Sequence, residues 1–181
     1  RQIGNHEGCI EMKILLISTC THALNDREFV FPISKILGEN EHDIMHFEDC
    51  SIEALLHYNK IIICGTSMQD CMYLDWLPFF DDLLKKFNGP ILGICSGMQI
   101  LTSIFGISGL IDNIEVGVVE VNTLISNKLF KGKFQAYNLH NYSVQDCDKF
   151  TILASSKTSI QAVKHVTKEI YGISFHPEVR N

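Results

Sequence analysis

The sequence lacks the features that mark membrane, secreted and nucleic-acid-binding proteins. No apolar run approaches the roughly 20 residues that a membrane-spanning helix needs. Residues 1–11 lack the apolar centre of a signal peptide. Lys and Arg number 15 against 21 Asp and Glu, and no segment gathers basic residues with aromatic ones. We therefore expect a cytoplasmic protein that binds neither membranes nor nucleic acid.

Metal and cofactor signatures are also missing. The seven cysteines form no C-x-x-C pair, which argues against a disulfide framework and a zinc ribbon. His42, His46 and Cys50 recur every four residues, as metal ligands on one helix face would. Residues 42–47 alternate like a strand, however, and a strand would not bring these side chains together. With no G-x-x-x-x-G-K-[ST] loop for nucleotide phosphates either, we predict no metal and no cofactor.

The sequence does contain an alternation of strand and helix patterns. Apolar runs that predict strands lie at 13–18, 42–47, 60–65 and 90–94. Helical spacing occurs between and after them, at 27–40, 51–58, 75–89 and 97–105. This alternation predicts an α/β fold with a mostly parallel central sheet flanked by helices.

The sequence pattern changes after residue 105, where short strand-like segments are separated by turns. These segments predict a short mixed or antiparallel β extension to the sheet. The length and composition suit one domain with a substantial core, and no repeat or linker divides the chain. We predict a single domain over residues 12–181, preceded by an extension or expression remnant at 1–11.

A cysteine stands between two glycines where the fourth strand gives way to a helix, in the stretch PILGICSGMQ. Catalytic groups of parallel sheets collect at the carboxyl ends of the strands. The spacing of Gly93, Cys95 and Gly97 follows the logic of the G-x-S-x-G turn, where a sharp bend projects the central side chain. The helix start also favours a thiolate and frees the Ser96 N–H to face an oxyanion. Packing alone also places glycines around buried cysteines, so both interpretations stay open on these residues.

A second segment near the carboxyl end, GISFHPEVRN, supports catalysis, because a nucleophilic cysteine needs a base in a set tautomer. Pro177 favours an extended backbone at His176. Residues two apart in an extended segment face the same side, so we expect Glu178 to reach the His176 ring. The three side chains would then form a cysteine, histidine and carboxylate triad.

Together, GICSGMQ at 93–99 and FHPE at 175–178 resemble the signatures G-x-C-x-G-x-Q and H-P-E of class I, or triad, glutamine amidotransferases. The resemblance covers nearly the whole of residues 12–181. It implies a flavodoxin-like fold and hydrolysis of glutamine to glutamate and ammonia through a glutamyl thioester.

The resemblance also implies roles for individual residues. Cys95 is the implied nucleophile, His176 the acid and base, and Glu178 its orienting carboxylate. The implied oxyanion donors are the backbone N–H groups of Gly65 and Ser96.

The same resemblance implies a substrate pocket. Gln99 would help to hold glutamine, although a glutamine one turn into a helix is equally compatible with the surface. In YNLHNYSV, Asn141 and Tyr142 would bind the amino and carboxylate ends of glutamine, while His140 is equally compatible with a structural hydrogen bond. The loop GTSMQD, residues 65–70, departs from the G-G-P and P-G-P versions of the family. This departure affects the expected shape of the substrate pocket more than the expected chemistry, because an oxyanion donor is a backbone group.

The family usually passes its ammonia to a synthase, and this chain is too short to contain one, so the resemblance implies a separate synthase partner. The tail SIQAVKHVTKEIYGISFHPEV looks most like the stand-alone amidotransferase subunit of GMP synthase. Two alternatives stay open. One is a peptidase that cleaves γ-glutamyl bonds in small peptides, and the other is a non-catalytic regulatory module.

Overall fold

Nine strands form one sheet within the residues that the computed structural model describes, which are 12–68, 70–106, 110–146 and 148–179. The predicted extension at 1–11 lies outside them. The strands are β1 (Ile14–Ser18), β2 (His42–His46), β3 (Lys60–Ile63), β4 (Ile91–Ile94), β5 (Ile111–Thr123), β6 (Lys133–Ser143), β7 (Phe150–Ser155), β8 (Ile160–His165) and β9 (Ile170–Ile173).

One half of the sheet is parallel and the other half is antiparallel. The parallel half has the order β2-β1-β3-β4-β9, and each neighbouring pair runs in the same direction. The antiparallel half continues from β9 in the order β8-β7-β5-β6 and contains the two longest strands, β5 and β6. The predicted fold class is confirmed, with a four-stranded extension.

Helices cover the parallel half, which buries β1 completely. They are α1 (Asp26–Phe29), α2 (Phe31–Leu37), α3 (Ile52–Leu55), α4 (Leu77–Lys86) and α5 (Ser96–Ile104). One face of the sheet packs Leu15, Ile17 and Ile63 against α3, α4 and α5, and the other packs Leu16 and Ile94 against α1 and α2. Burial on both faces explains the continuous Ile and Leu runs in these strands.

The single helix predicted at 27–40 is wrong in one respect, because α1 and α2 are separate helices. The break falls at Val30, and Pro32 lies in the first turn of α2. Proline has no N–H to continue a helix but fits its first turn, so it begins a new one. Pro78 begins α4 in the same way, after a short 3₁₀ helix at Met72–Trp76.

His42 and His46, two of the three possible metal ligands, lie on the strand β2, as predicted, and Cys50 follows a short 3₁₀ helix at Phe47–Asp49. The His42 ring contacts Ser34 Oγ at 2.7 Å, and the His46 ring contacts the Cys20 carbonyl at 2.8 Å. The described residues contain no group of three or more His, Cys, Asp or Glu arranged to hold a metal. None of their helices is long and apolar enough to cross a membrane.

The sheet curls so that its edge strand β6 lies over the carboxyl ends of the parallel strands. The Tyr137 carbonyl accepts a hydrogen bond from the His176 backbone N–H at 2.8 Å. The Leu139 carbonyl lies 3.6 Å from Cys95 Sγ. These contacts join the edge strand β6 to the parallel half, in addition to the pairing of β8 with β9.

Candidate active site

Cys95 occupies a strained turn between β4 and α5. Its φ is +50°, and it is the only non-glycine residue with positive φ among those that the structure describes. Such a backbone is unfavourable for a side chain and persists only where the surroundings enforce it. The turn leaves Cys95 at the amino-terminal end of α5, with its side chain at the wall of a cavity of about 500 Å³.

Gly93 and Gly97 allow this turn to form, as predicted from their spacing. A Cβ at Gly93 would lie 2.5 Å from the carbonyl of Gly97. A Cβ at Gly97 would overlap the carbonyl oxygen of Ile63 in β3. Both contacts are too close for any side chain, so α5 packs directly on the strands through bare backbone.

His176 and Glu178 form a buried pair behind Cys95. His176 Nδ1 lies 2.7 Å from Glu178 Oε1, and both side chains are completely buried. The carboxylate fixes the tautomer and leaves Nε2, which makes no hydrogen bond to any described residue, available for proton transfer. The predicted contact is present, but Pro177 and Glu178 lie in a turn rather than in an extended segment. The His176 carbonyl accepts a hydrogen bond from Val179 N–H at 3.2 Å, because Pro177 suits the second position of a tight turn.

The electrostatics of the pair favour a protonated histidine. Burial lowers the pKa of His176, but the neighbouring Cys95 thiol and Glu178 carboxylate outweigh it and raise the pKa to about 10. The imidazolium is therefore the main form at neutral pH. In contrast, burial raises the pKa of the Cys20 thiol to about 12 and that of Cys64 well above its ordinary value, so these two cysteines stay protonated.

Gly65 lies between the cysteine and the histidine, just after β3. A Cβ there would be 2.8 Å from His176 Cε1 and 3.4 Å from Cys95 Cβ. Only a residue without a side chain leaves the space between them open. Neither the Gly65 N–H nor the Ser96 N–H donates a hydrogen bond to another described residue. The Ser96 hydroxyl, meanwhile, is held by Thr19 Oγ1 at 3.0 Å and by the Cys64 carbonyl at 3.3 Å.

Gln99 is buried rather than on the surface, with 6% of its area exposed. Its Oε1 accepts a hydrogen bond from the Tyr73 hydroxyl, and its Nε2 donates to the Tyr142 carbonyl at 3.2 Å. Tyr142 and Asn141 also line the cavity. The Asn141 amide donates to the Met68 carbonyl at 2.8 Å, which ties β6 to the loop after β3.

The GTSMQD loop is held by hydrogen bonds to Asp70, which the sequence analysis did not single out. Asp70 Oδ2 accepts from Thr66 Oγ1 at 2.5 Å, from the Thr21 N–H at 3.1 Å and from the Asn25 amide at 3.3 Å. Burial raises the pKa of the Asp70 carboxyl, but these hydrogen bonds lower it overall, so Asp70 is charged at neutral pH. Tyr73 was also missed, because no sequence pattern links either residue to its partners.

Comparisons with known proteins agree with this geometry. Residues 31–181 match the family described as Glutamine amidotransferase class-I. The chain is 37% identical over 109 residues to a GMP synthase (glutamine-hydrolyzing) subunit of Methanobrevibacter smithii, covering 56% of this chain and 56% of that protein. It is 32% identical over 141 residues to the corresponding subunit of Sulfolobus acidocaldarius, covering 74% of each.

A solved structure matches over a larger part of the chain. It is that of a proposed GMP synthase subunit from Thermoplasma acidophilum, with a TM-score of 0.81 and 25% identity, and the match covers 94% of this chain and 86% of that one. In sequence, the aligned region spans little more than half the length of the Methanobrevibacter relative.

Proposed function

Because the chain belongs to the class I glutamine amidotransferase family, we propose that it hydrolyses the side-chain amide of glutamine to glutamate and ammonia. The observation that carries this proposal is the strained Cys95 turn, set beside the buried His176 and Glu178 pair at the wall of a cavity. Cys95 is the nucleophile, His176 the acid and base, and Glu178 the residue that orients the ring.

In the proposed reaction His176 accepts the proton of the Cys95 thiol, and the buried Glu178 carboxylate favours the imidazolium that results. The Cys95 thiolate attacks the amide carbon and forms a carbon–sulfur bond. His176 then gives its proton to the nitrogen as the carbon–nitrogen bond breaks and ammonia leaves. In the second step His176 takes a proton from water, the hydroxide attacks the thioester, and Cys95 leaves as the thiolate beside the imidazolium.

The oxyanion formed in each step needs donors that do not move. We assign this role to the backbone N–H groups of Gly65 and Ser96, which have no hydrogen-bond partner among the described residues. Removing one donor of this kind typically slows the reaction about 10²- to 10³-fold. Gln99, Asn141 and Tyr142 are assigned to the amino-acid end of glutamine, because they line the cavity together with Cys95.

The ammonia acceptor in this proposal is a separate synthase. Relatives that match the chain are named as subunits of GMP synthase, so we propose that the partner is another GMP synthase subunit, in the cytoplasm. A second candidate substrate, a γ-glutamyl peptide, is favoured by the altered loop, in which Thr66 and Asp70 bond to each other in the cavity wall.

The test is glutamate release from glutamine by the wild type and by Cys95→Ala, with Cys50→Ala as the matched control outside the cavity. We expect release that disappears in Cys95→Ala and persists in Cys50→Ala, and that rises when a synthase subunit is added. Equal release by Cys95→Ala would contradict the assigned nucleophile. Turnover of γ-glutamyl peptides without glutamine turnover would favour the peptidase. If a glutamine-analogue affinity label does not react with Cys95, the result would favour a non-catalytic module.

A further inference from the structure

A carboxylate in the antiparallel half collects an unusual number of hydrogen bonds. Glu115 lies on β5, and its side chain is only 10% exposed. Five side chains donate to it: Asn138, Ser156, Thr158, Ser159 and Gln161. These donors come from β6, from β8 and from the turn between β7 and β8, so one carboxylate joins three parts of the fold. The assigned chemistry of the site does not use this cluster.

The cluster is connected to β6 at alternate residues. Asn138 Nδ2 donates to Glu115 Oε2 at 2.7 Å, and His140 Nε2 lies 3.3 Å from the same oxygen without hydrogen-bond alignment. The other ring nitrogen of His140 contacts the Asn113 carbonyl at 3.1 Å. Burial lowers the pKa of His140, so the neutral ring dominates at pH 7 and donates a hydrogen bond to only one of these two oxygens.

The backbone carbonyls of the odd-numbered neighbours, Tyr137 and Leu139, face the candidate active site instead. The Tyr137 carbonyl accepts from His176 N–H at 2.8 Å, and the Leu139 carbonyl lies 3.6 Å from Cys95 Sγ. The side chains of Asn138 and His140 therefore face Glu115, while the carbonyls of the odd-numbered residues beside them contact the residues assigned to the triad. A shift of β6 relative to Glu115 moves both carbonyls at once.

Burial makes this arrangement sensitive to the loss of its acceptor. Asn138 and Gln161 have no exposed area and His140 has 2%. Polar groups buried to this degree need partners, because an unpaired one loses its hydrogen bonds to water without replacement. Without Glu115, the Asn138 amide and the His140 ring must move or admit water.

From this geometry we propose that Glu115 is a positioning residue for the reaction: it acts through Asn138 and His140 to hold β6, and so keeps His176 beside Cys95. This inference rests on the proposed function in that Cys95 is taken as the nucleophile. Glu115 itself touches neither the substrate nor the reacting atoms.

The test measures the rate at which iodoacetamide alkylates each cysteine at pH 7, resolved by mass spectrometry of peptides. Glu115→Ala removes the acceptor, and Glu115→Gln keeps its shape and one acceptor oxygen. Glu120→Ala is the matched control, because Glu120 is on the same strand but exposed and paired only with Lys133 at 3.3 Å. The exposed Cys71 lines the same cavity and reports reagent access to it, and the buried Cys20 and Cys64 report unfolding.

We expect Glu115→Ala to slow alkylation of Cys95 about tenfold, and Glu115→Gln about threefold, because a displaced His176 accepts the proton of the Cys95 thiol less readily. Cys71 should react at the wild-type rate, Cys20 and Cys64 should stay protected, and Glu120→Ala should match the wild type. An unchanged Cys95 rate in either folded Glu115 variant would overturn the proposal. If Cys64 becomes reactive in Glu115→Ala, that variant has begun to unfold. The Cys95 alkylation rate of Glu115→Gln then decides the proposal.

Glutamine turnover supplies a second measurement. A positioning effect should raise the KM for glutamine in Glu115→Gln, because β6 also carries Asn141 and Tyr142. A loss of folded enzyme would lower the apparent kcat alone. If the wild type releases no glutamate, the proposed function fails, while the alkylation rates still decide the role of Glu115.

Discussion

In the parallel half of the sheet, β1, β3 and β4 are runs of buried Ile and Leu, whereas β5 exposes Ile114, Val116 and Val118 on one face and holds Glu115 on the other. The parallel half presents Cys95 through backbone contacts that leave no space for added atoms. The antiparallel half presents β6 through side-chain hydrogen bonds. The first half is therefore vulnerable to added atoms, and the second is vulnerable to lost polar groups.

The largest effect that follows from this difference is expected at Gly65. Gly65→Ala places a methyl group 2.8 Å from His176 Cε1 and pushes the ring away from Cys95. We expect glutamate release to fall about 10³-fold, since misplacement of a catalytic group and of an oxyanion donor both act. Thermal unfolding, measured beside the kinetics, should show a folded protein. Release within fivefold of the wild type would contradict the tight packing of this region.

Gly97→Ala tests whether the same tightness supports the fold. The added Cβ overlaps the Ile63 carbonyl, and we expect a loss of about 3 kcal/mol in the free energy of unfolding by urea. The control in the antiparallel half is Gly117→Ala, where φ is +113° and no atom lies within 4 Å of the added Cβ. Its loss should be about 1 kcal/mol, from backbone strain alone. Equal losses would remove the distinction between the halves.

Glu178→Gln tests the charge of the buried pair through pH. The pKa of His176 is raised from 6.5 to about 10, so its protonation stabilises the fold fully below pH 6.5 and ceases to do so as pH rises to 10. We expect the free energy of unfolding of the wild type to exceed that of Glu178→Gln by about 2 kcal/mol at pH 6. This difference should shrink as the pH rises toward 10. Urea unfolding at several pH values measures this, and a difference that stays constant with pH would contradict it.

The smallest effect is expected where a single hydroxyl is lost at the cavity wall. Tyr73→Phe removes the hydrogen bond to Gln99 Oε1, and we expect the KM for glutamine to rise about fivefold, near 1 kcal/mol. Tyr58→Phe is the control, because the Tyr58 hydroxyl lies outside the cavity. It donates a hydrogen bond to Asp43 Oδ2 at 2.6 Å. A KM unchanged by Tyr73→Phe would show that Gln99 needs no such support.

Sequence patterns predicted the parallel half well because its physical requirements are local. Burial on both faces requires continuous apolar runs, and the turn at Cys95 requires glycines at fixed distances from it. The identity of His176 and Glu178 followed from their spacing and from the resemblance. The turn at Pro177 and Glu178 did not, since a residue that precedes proline can begin either an extended segment or a tight turn.

The supporting contacts of the site had no local signal. Gln99 meets Tyr73 across 26 positions, Asn141 meets Met68 across 73, and Glu115 meets Gln161 across 46. Each partner is an ordinary polar residue without periodic spacing. Such pairs become visible only in the folded structure, and that of Asn141 with Met68 depends on β6 lying against the parallel half.

The position of β6 also bears on whether copies of the protein can pair through this edge of the sheet. An 11-residue strand at the end of a sheet offers unpaired backbone groups on which another chain can add a strand. Here the Tyr137 carbonyl is taken by His176 N–H, and the Leu139 carbonyl faces Cys95. The segment that carries His176 therefore covers part of this edge strand. We expect a chain that loses the segment to aggregate through β6.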